Sequence, residues 1–212
     1  MIKVSVSSLP YNDDIFKYLG KIVDSSTDFL HLDIMDGSLT ENKTFDYNTV
    51  TKINSKTTLF LDCHLMIDEP SEIVKNYVES GANIISVHYE AFKDKSKLID
   101  TLIYLKSKNV IVGLAIYPNT KIETIELYKN YFDLLLIMSV EIGKYGQKFL
   151  DTTIDKIKLA KELLPNKLIE VDGGVNLKNI EELKKLGVDI VVVGGSFFKS
   201  EDKKEFITNL KK

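Results

Sequence analysis

One pattern restricts the fold of this chain more than any other: from end to end, short apolar runs alternate with longer stretches of helical periodicity. The runs are Ile2–Val6, Phe29–Asp33, Leu59–His64, Ile84–His88, Ile111–Ile116, Leu134–Met138, Leu168–Asp172 and Ile190–Gly194. They are rich in Ile, Val and Leu and mostly unbroken by polar residues, as parallel strands covered on both faces are. Between them, Ser71–Ser80, Lys95–Lys108, Thr152–Leu164 and Leu177–Leu186 space apolar residues three and four apart, the signature of amphipathic helices. Gly81 and Gly187 stand just past the last periodic residue of their stretches, where a left-handed cap is needed. Eight successive βα units with right-handed crossovers close most simply into an α/β (β/α)8 TIM barrel. An open doubly wound sheet would want a G-x-G-x-x-G turn after its first strand, and Ser7-Ser8-Leu9-Pro10 is not one.

No linker or shift in composition interrupts the alternation, so residues 1–212 are expected to form a single domain. Twenty-eight Lys and Arg against 31 Asp and Glu give a net charge of −3, which offers no electrostatic hold on nucleic acid or an anionic membrane. No run approaches the roughly 18 apolar residues of a membrane span. The single cysteine, Cys63, excludes an internal disulfide, and Met1–Val6 lacks the features of a signal peptide, so a reducing, cytoplasmic setting is expected.

In a barrel of this kind chemistry belongs at the C-terminal ends of the strands. His31 and Asp33 are two apart in the second run and therefore share a strand face. His64 closes the third run and Asp172 the seventh, which makes a His2Asp2 set at three strand ends. Nitrogen and carboxylate donors suit zinc and also accept iron, manganese or cobalt. His88 ends the fourth run without comparable company and reads as a core histidine. Cys63 has the opposite strand parity to His64 and should face the helices as a structural residue. Gly173 and Gly174 follow the seventh run, Gly194 and Gly195 the eighth, where barrels build phosphate sites from backbone N–H groups. Met35, Met66 and Met138, at or just past strand ends, are candidates to wall a reactive intermediate from water.

Several segments together resemble the ribulose-phosphate 3-epimerases and the related allulose-6-phosphate 3-epimerases: Ser5-Val6-Ser7, His31-Leu32-Asp33-Ile34-Met35-Asp36-Gly37, Leu61-Asp62-Cys63-His64-Leu65-Met66, Val87-His88-Tyr89-Glu90-Ala91, Gly146-Gln147-Lys148-Phe149 and Glu170-Val171-Asp172-Gly173-Gly174-Val175-Asn176. The resemblance implies one divalent metal ion per subunit on His31, Asp33, His64 and Asp172, with Asp33 and Asp172 doubling as the acid/base pair. It also implies a small sugar phosphate as substrate, with Ser7 near it and Gly143, Gly146, Gly173, Gly174, Gly194 and Gly195 on its phosphate side; His64, Lys144 and Tyr145 are further candidates to contact the substrate. A homo-oligomer, dimer or hexamer, is expected. Epimerisation beside a ketone takes a proton from one face of a flat enediolate and returns one to the other, so it needs two carboxyl groups on opposite sides. The second and seventh strands are expected to lie across the barrel from one another and to supply them.

The chain departs from the family pattern after the sixth run, where Glu141-Ile142-Gly143-Lys144-Tyr145-Gly146-Gln147 replaces the usual Asn/Glu-Pro-Gly-Phe-Gly-Gly-Gln. Losing a glycine stiffens such a lid, and losing the proline loosens its entry. Gly195 stands where relatives frequently carry serine. A sugar-phosphate lyase on the same barrel would carry D-x-K-x-x-D at a strand end; here the residue two beyond Asp33 is Met35.

Overall fold

A computed structural model describes all of residues 1–212 except Tyr145 and the side chain of Asp13; the expectation for Tyr145 lies outside the described residues. Eight parallel strands, β1 (Lys3–Ser7), β2 (Phe29–Met35), β3 (Phe60–Met66), β4 (Ile84–His88), β5 (Ile111–Ile116), β6 (Leu134–Met138), β7 (Leu168–Asp172) and β8 (Ile190–Val193), close into a barrel in sequence order. Around them run α1 (Ile15–Asp24), α2 (Tyr47–Asn54), α3 (Val74–Glu79), α4 (Lys95–Lys106), α5 (Ile122–Glu126), α6 (Thr152–Leu163), α7 (Ile180–Lys185), α8 (Gly195–Lys199) and α9 (Lys203–Lys211). No described helix is long and apolar enough to cross a membrane.

The predicted runs match four strands end for end; β2 and β3 extend further, to Met35 and Met66. Two helical expectations shrink for local reasons. Ser71–Ser80 begins as a separate 3₁₀ turn, Pro70–Glu72, because Glu69 turns left-handed (φ 48°) into Pro70. Leu177–Leu186 is helical only over Ile180–Lys185, since the Asn179 side chain accepts the Asn176 N–H and holds 176–179 as a turn. Gly81 and Gly187 adopt the left-handed φ their positions require, 90° and 75°.

Strand parity sorts the core into two layers. Residues facing outward, among them Leu32, Cys63, Val87, Leu114, Leu135, Val171 and Val191, pack against the helices in the larger apolar core. Cys63 lies there fully buried, and burial raises its thiol pKa, as befits a structural cysteine. Residues facing the lumen fall into two halves. Ile84, Leu134 and Ile190, with Phe29 and Ile111 beside them, fill its lower half with aliphatic and aromatic side chains. Ser5, His31, Asp33, Asp62, His64, His88 and Glu170 line the upper half and are buried. One expectation about geometry is corrected: β2 and β7 are not diametrically opposed. Barrel order places β1 and β8 between them, and β6 is the strand opposite β2.

Candidate active site

The four residues expected at the strand ends converge. Their nitrogen and oxygen atoms lie within 4.8 Å of one another, although no strand pairing brings β7 next to β2 or β3. Register explains half of this: β2 pairs with β3 so that Asp33 stands beside His64. Barrel closure supplies the rest, carrying Asp172 across the mouth. His31 Nε2 is 3.6 Å from Asp33 Oδ1 and 3.8 Å from Asp172 Oδ2; His64 Nδ1 is 3.5 Å and 3.8 Å from the same two oxygens.

Both of those nitrogens are buried and have no hydrogen-bond partner among the described residues. Orphaned buried nitrogens are costly, and two of them aimed at two carboxylate oxygens are the donor set of a divalent cation. The residues therefore fit a metal ion. His31 turns its other nitrogen, Nδ1, to Asp62 Oδ2 at 2.6 Å, and Ser5 Oγ donates to the same oxygen at 2.8 Å. Such an outer carboxylate fixes the orientation of a ligating imidazole.

The two acids differ in environment. Burial alone raises the Asp33 carboxyl, but the charge on His31 outweighs it and holds the pKa well below the usual carboxylate range. Ser7 Oγ donates to Asp33 Oδ2 at 2.8 Å, which leaves Oδ1 facing the histidines. Asp172 has its pKa raised to about 7, first by loss of solvent; the His31 charge opposes this, and the negative charges of Asp33 and Asp62 add to it. Beneath them Glu170 is fully buried beside Asp62, and burial followed by repulsion from Asp62 pushes its pKa well above the carboxylate range. His31, Asp62 and Glu170 form a second cluster of metal-competent atoms below the first. Asp62 and Glu170 stand inside the third and seventh apolar runs. Their one sequence signal was acidic residues at lumen parity inside apolar strands.

Above the acids opens a cavity of about 590 Å³, within the range of small-molecule sites. Ser7, Asp33, Met66, Met138 and Asp172 line its floor, and Gly143, Lys144, Gly146, Gly173, Gly174, Gly194 and Gly195 line its sides. His31 and His64 lie buried outside that wall. Met35 does not reach it, because the chain folds back over that strand end: the Met35 N–H donates to Thr44 Oγ1 and its carbonyl accepts the Thr44 N–H. The loops after β2 and β6 meet over the mouth, with Asn42 Nδ2 donating to the Gly143 carbonyl at 2.5 Å.

At Gly174 a side chain is excluded twice over. Its φ is +63°, and a Cβ would come 2.3 Å from the backbone nitrogen of Phe149. Replacing Gly174 by Ala is expected to cost about 1–2 kcal/mol from the left-handed backbone alone. It should also push the segment around Phe149 away from the cavity, so that KM for a phosphate-bearing substrate rises more than kcat falls. Equilibrium unfolding and steady-state kinetics check the two parts.

Known proteins resemble this chain over most of its length. A sequence profile described as the Ribulose-phosphate 3 epimerase family matches residues 1–198. Ribulose-phosphate 3-epimerase from Helicobacter pylori (strain J99) is 38% identical over 201 residues, covering 92% of this chain and 91% of that one. The Aquifex aeolicus (strain VF5) protein of the same name is 38% identical over 179 residues, 82% and 79% of the two chains. That of Schizosaccharomyces pombe is 31% identical over 198 residues, 92% and 86%. Among solved structures, 3-keto-L-gulonate-6-phosphate decarboxylase from Vibrio cholerae superposes with a TM-score of 0.75 at 13% identity, covering 99% of this chain and 95% of that one; at that identity the likeness speaks for the fold alone. The chain belongs to the ribulose-phosphate 3-epimerase family and is an isomerase of the carbohydrate epimerase class.

Proposed function

We propose that this protein is a metal-dependent 3-epimerase that interconverts ribulose 5-phosphate and xylulose 5-phosphate. The observation that carries the reading is the convergence of Asp33 and Asp172 on the orphaned nitrogens of His31 and His64, at the floor of a cavity with glycine-rich sides. His31 Nε2, Asp33 Oδ1, His64 Nδ1 and Asp172 Oδ2 would hold the ion. A divalent cation there (zinc, iron, manganese or cobalt) supplies Lewis acidity and positive charge for the ketone oxygen as C3 loses its proton.

The chain's own groups do the rest. Asp33 lines the cavity with its carboxylate oriented by the Ser7 hydroxyl on Oδ2, and takes or returns the C3 proton. Asp172 lines the same space from β7. One carboxylate works on each face of the flattened substrate, so the product differs from the substrate at C3 alone. Met66 and Met138 present apolar surface to the floor and keep water from competing for that proton. The glycines after β7 and β8 bring backbone N–H groups to the phosphate, and Lys144 adds a cation at the rim. The one cysteine, free and buried, supports the reading of a reducing, cytoplasmic setting.

Chelation is expected to abolish epimerisation, and re-addition of single divalent ions to restore it. The reading fails if metal-loaded protein neither epimerises nor exchanges solvent deuterium at C3 of either pentulose phosphate. Allulose 6-phosphate is the alternative substrate, left open by the departures from the family pattern in loop 141–147; kcat/KM on the two ketose phosphates separates them. A lyase reading lacks its lysine, since Met35 stands two residues beyond Asp33.

A further inference from the structure

Among the described residues, the second nitrogen of His64 meets no carboxylate. Its Nε2 lies 2.7 Å from Nε2 of His88, and both rings are fully buried. Two nitrogens at that distance share a single proton, and the rings alone do not decide which of them carries it. The next group outward does. Glu90 Oε2 is 3.3 Å from His88 Nδ1, and an ionised carboxylate only accepts. Its other oxygen, Oε1, already accepts the Tyr117 N–H at 3.0 Å and the Thr120 hydroxyl.

That anchor is itself built in. The Lys156 ammonium, reaching over from α6, donates to the carbonyls of Tyr117, Pro118 and Thr120 at 3.0, 2.6 and 2.6 Å. It thereby pins the turn after β5 that presents two donors to Glu90.

We infer that His88 and Glu90 are positioning residues that set the tautomer of His64 and so turn its Nδ1 lone pair toward Asp33 and Asp172. Glu90 requires the proton of His88 on Nδ1. A neutral His88 then offers a lone pair at Nε2, and His64 must donate from its own Nε2. What remains on His64 is an unprotonated Nδ1, the atom found without a hydrogen-bond partner 3.5 Å from Asp33 Oδ1. The competing arrangement, an imidazolium at His88 donating inward, would place a charged ring at full burial. His31, by contrast, meets a carboxylate directly, with Nδ1 2.6 Å from Asp62 Oδ2. The inference rests on the reading of His64 as a metal ligand, and the test keeps the two apart.

Glu90→Gln is the informative variant. Its amide carbonyl continues to accept from Tyr117 and Thr120, which leaves the NH2 group facing His88 Nδ1. His88 must then hold its proton on Nε2, and His64 must carry one on Nδ1. In metal-free protein, ¹⁵N spectra of the imidazole rings are expected to show the His64 proton on Nε2 in the wild type and on Nδ1 in Glu90→Gln. Zinc affinity, measured by competition with a chelator, is expected to fall about 10–100-fold in that variant. Glu90→Asp, which keeps an acceptor-only carboxylate, should retain the wild-type tautomer and most of the affinity.

A wild-type His64 protonated on Nδ1 would overturn the inference, and that measurement needs no variant to fold. An unchanged tautomer and affinity in folded Glu90→Gln would also overturn it. Failure of the wild type to bind zinc, with the tautomer switch intact, would remove the metal reading and leave the relay standing.

Discussion

Asp172→Asn is expected to lower kcat for epimerisation by about 10²–10⁴-fold, the range that a positioned proton-transfer group contributes. Asparagine matches the shape of the side chain but neither takes nor gives a proton at C3. Asp33→Asn should cost as much. The two variants should differ in a way that total rate does not reveal. Each leaves one carboxylate able to remove the proton on its own face, so each should still exchange solvent deuterium into one epimer and not into the other, and the favoured epimer should be opposite in the two. Deuterium incorporation by mass spectrometry, with metal content measured in parallel, checks this. Equal exchange into both epimers by either single variant would rule out the two-carboxylate scheme. Loss of all exchange together with loss of the ion would assign the residue to metal binding alone.

Phe132→Ala is expected to cost about 3–5 kcal/mol of stability. Phe132 is among the largest fully buried side chains and belongs to the layer between barrel and helices, where close packing leaves little room to collapse around a void. The Lys167 ammonium lies 5.3 Å from its ring centroid and donates to its carbonyl at 2.6 Å, so the residue is gripped by side chain and backbone together. For a chain of this size each kcal/mol moves Tm by about 2–4 °C, so a fall of about 6–20 °C is expected. Below the transition, kcat should stay near that of the wild type, because Phe132 takes no part in the cavity wall. Thermal unfolding and kinetics on the same preparation test both halves. A drop in kcat without a drop in Tm would contradict the division between an outer structural layer and an inner chemical one.

That division explains how much of the molecule was legible beforehand. The outer layer follows from hydrophobic periodicity, a local property, and the strands found there carry the aliphatic runs read from the chain. Sharing of a face by His31 and Asp33 is also local, since strand side chains repeat every two residues. His88 illustrates the limit. It looked like an isolated core histidine because its partners are His64, 24 residues earlier on the neighbouring strand, and Glu90, just past its strand end. Register between β3 and β4, which pairs His64 with Ser86, decides that contact, and register is a property of two segments at once. Met35 shows the opposite failure: a strand-end position suggested a place on the cavity wall, and the chain returning to Thr44 closed it off.

Amino-acid order alone was enough to place eight strands, the four metal-competent side chains and the glycine turns, because each depends on spacing along one segment. Closure of the barrel was needed for everything that depends on distance between segments. It set Asp172 against Asp33 from strands that are not opposite one another, put the buried His88 and the half-buried Glu90 behind His64, and kept Asp62 and Glu170 beneath the four metal-competent residues. The physical reason is common to all of these. A buried polar atom is tolerated where a partner meets it, and which partner it meets is settled by strand register and barrel order, neither of which is written at the residue itself.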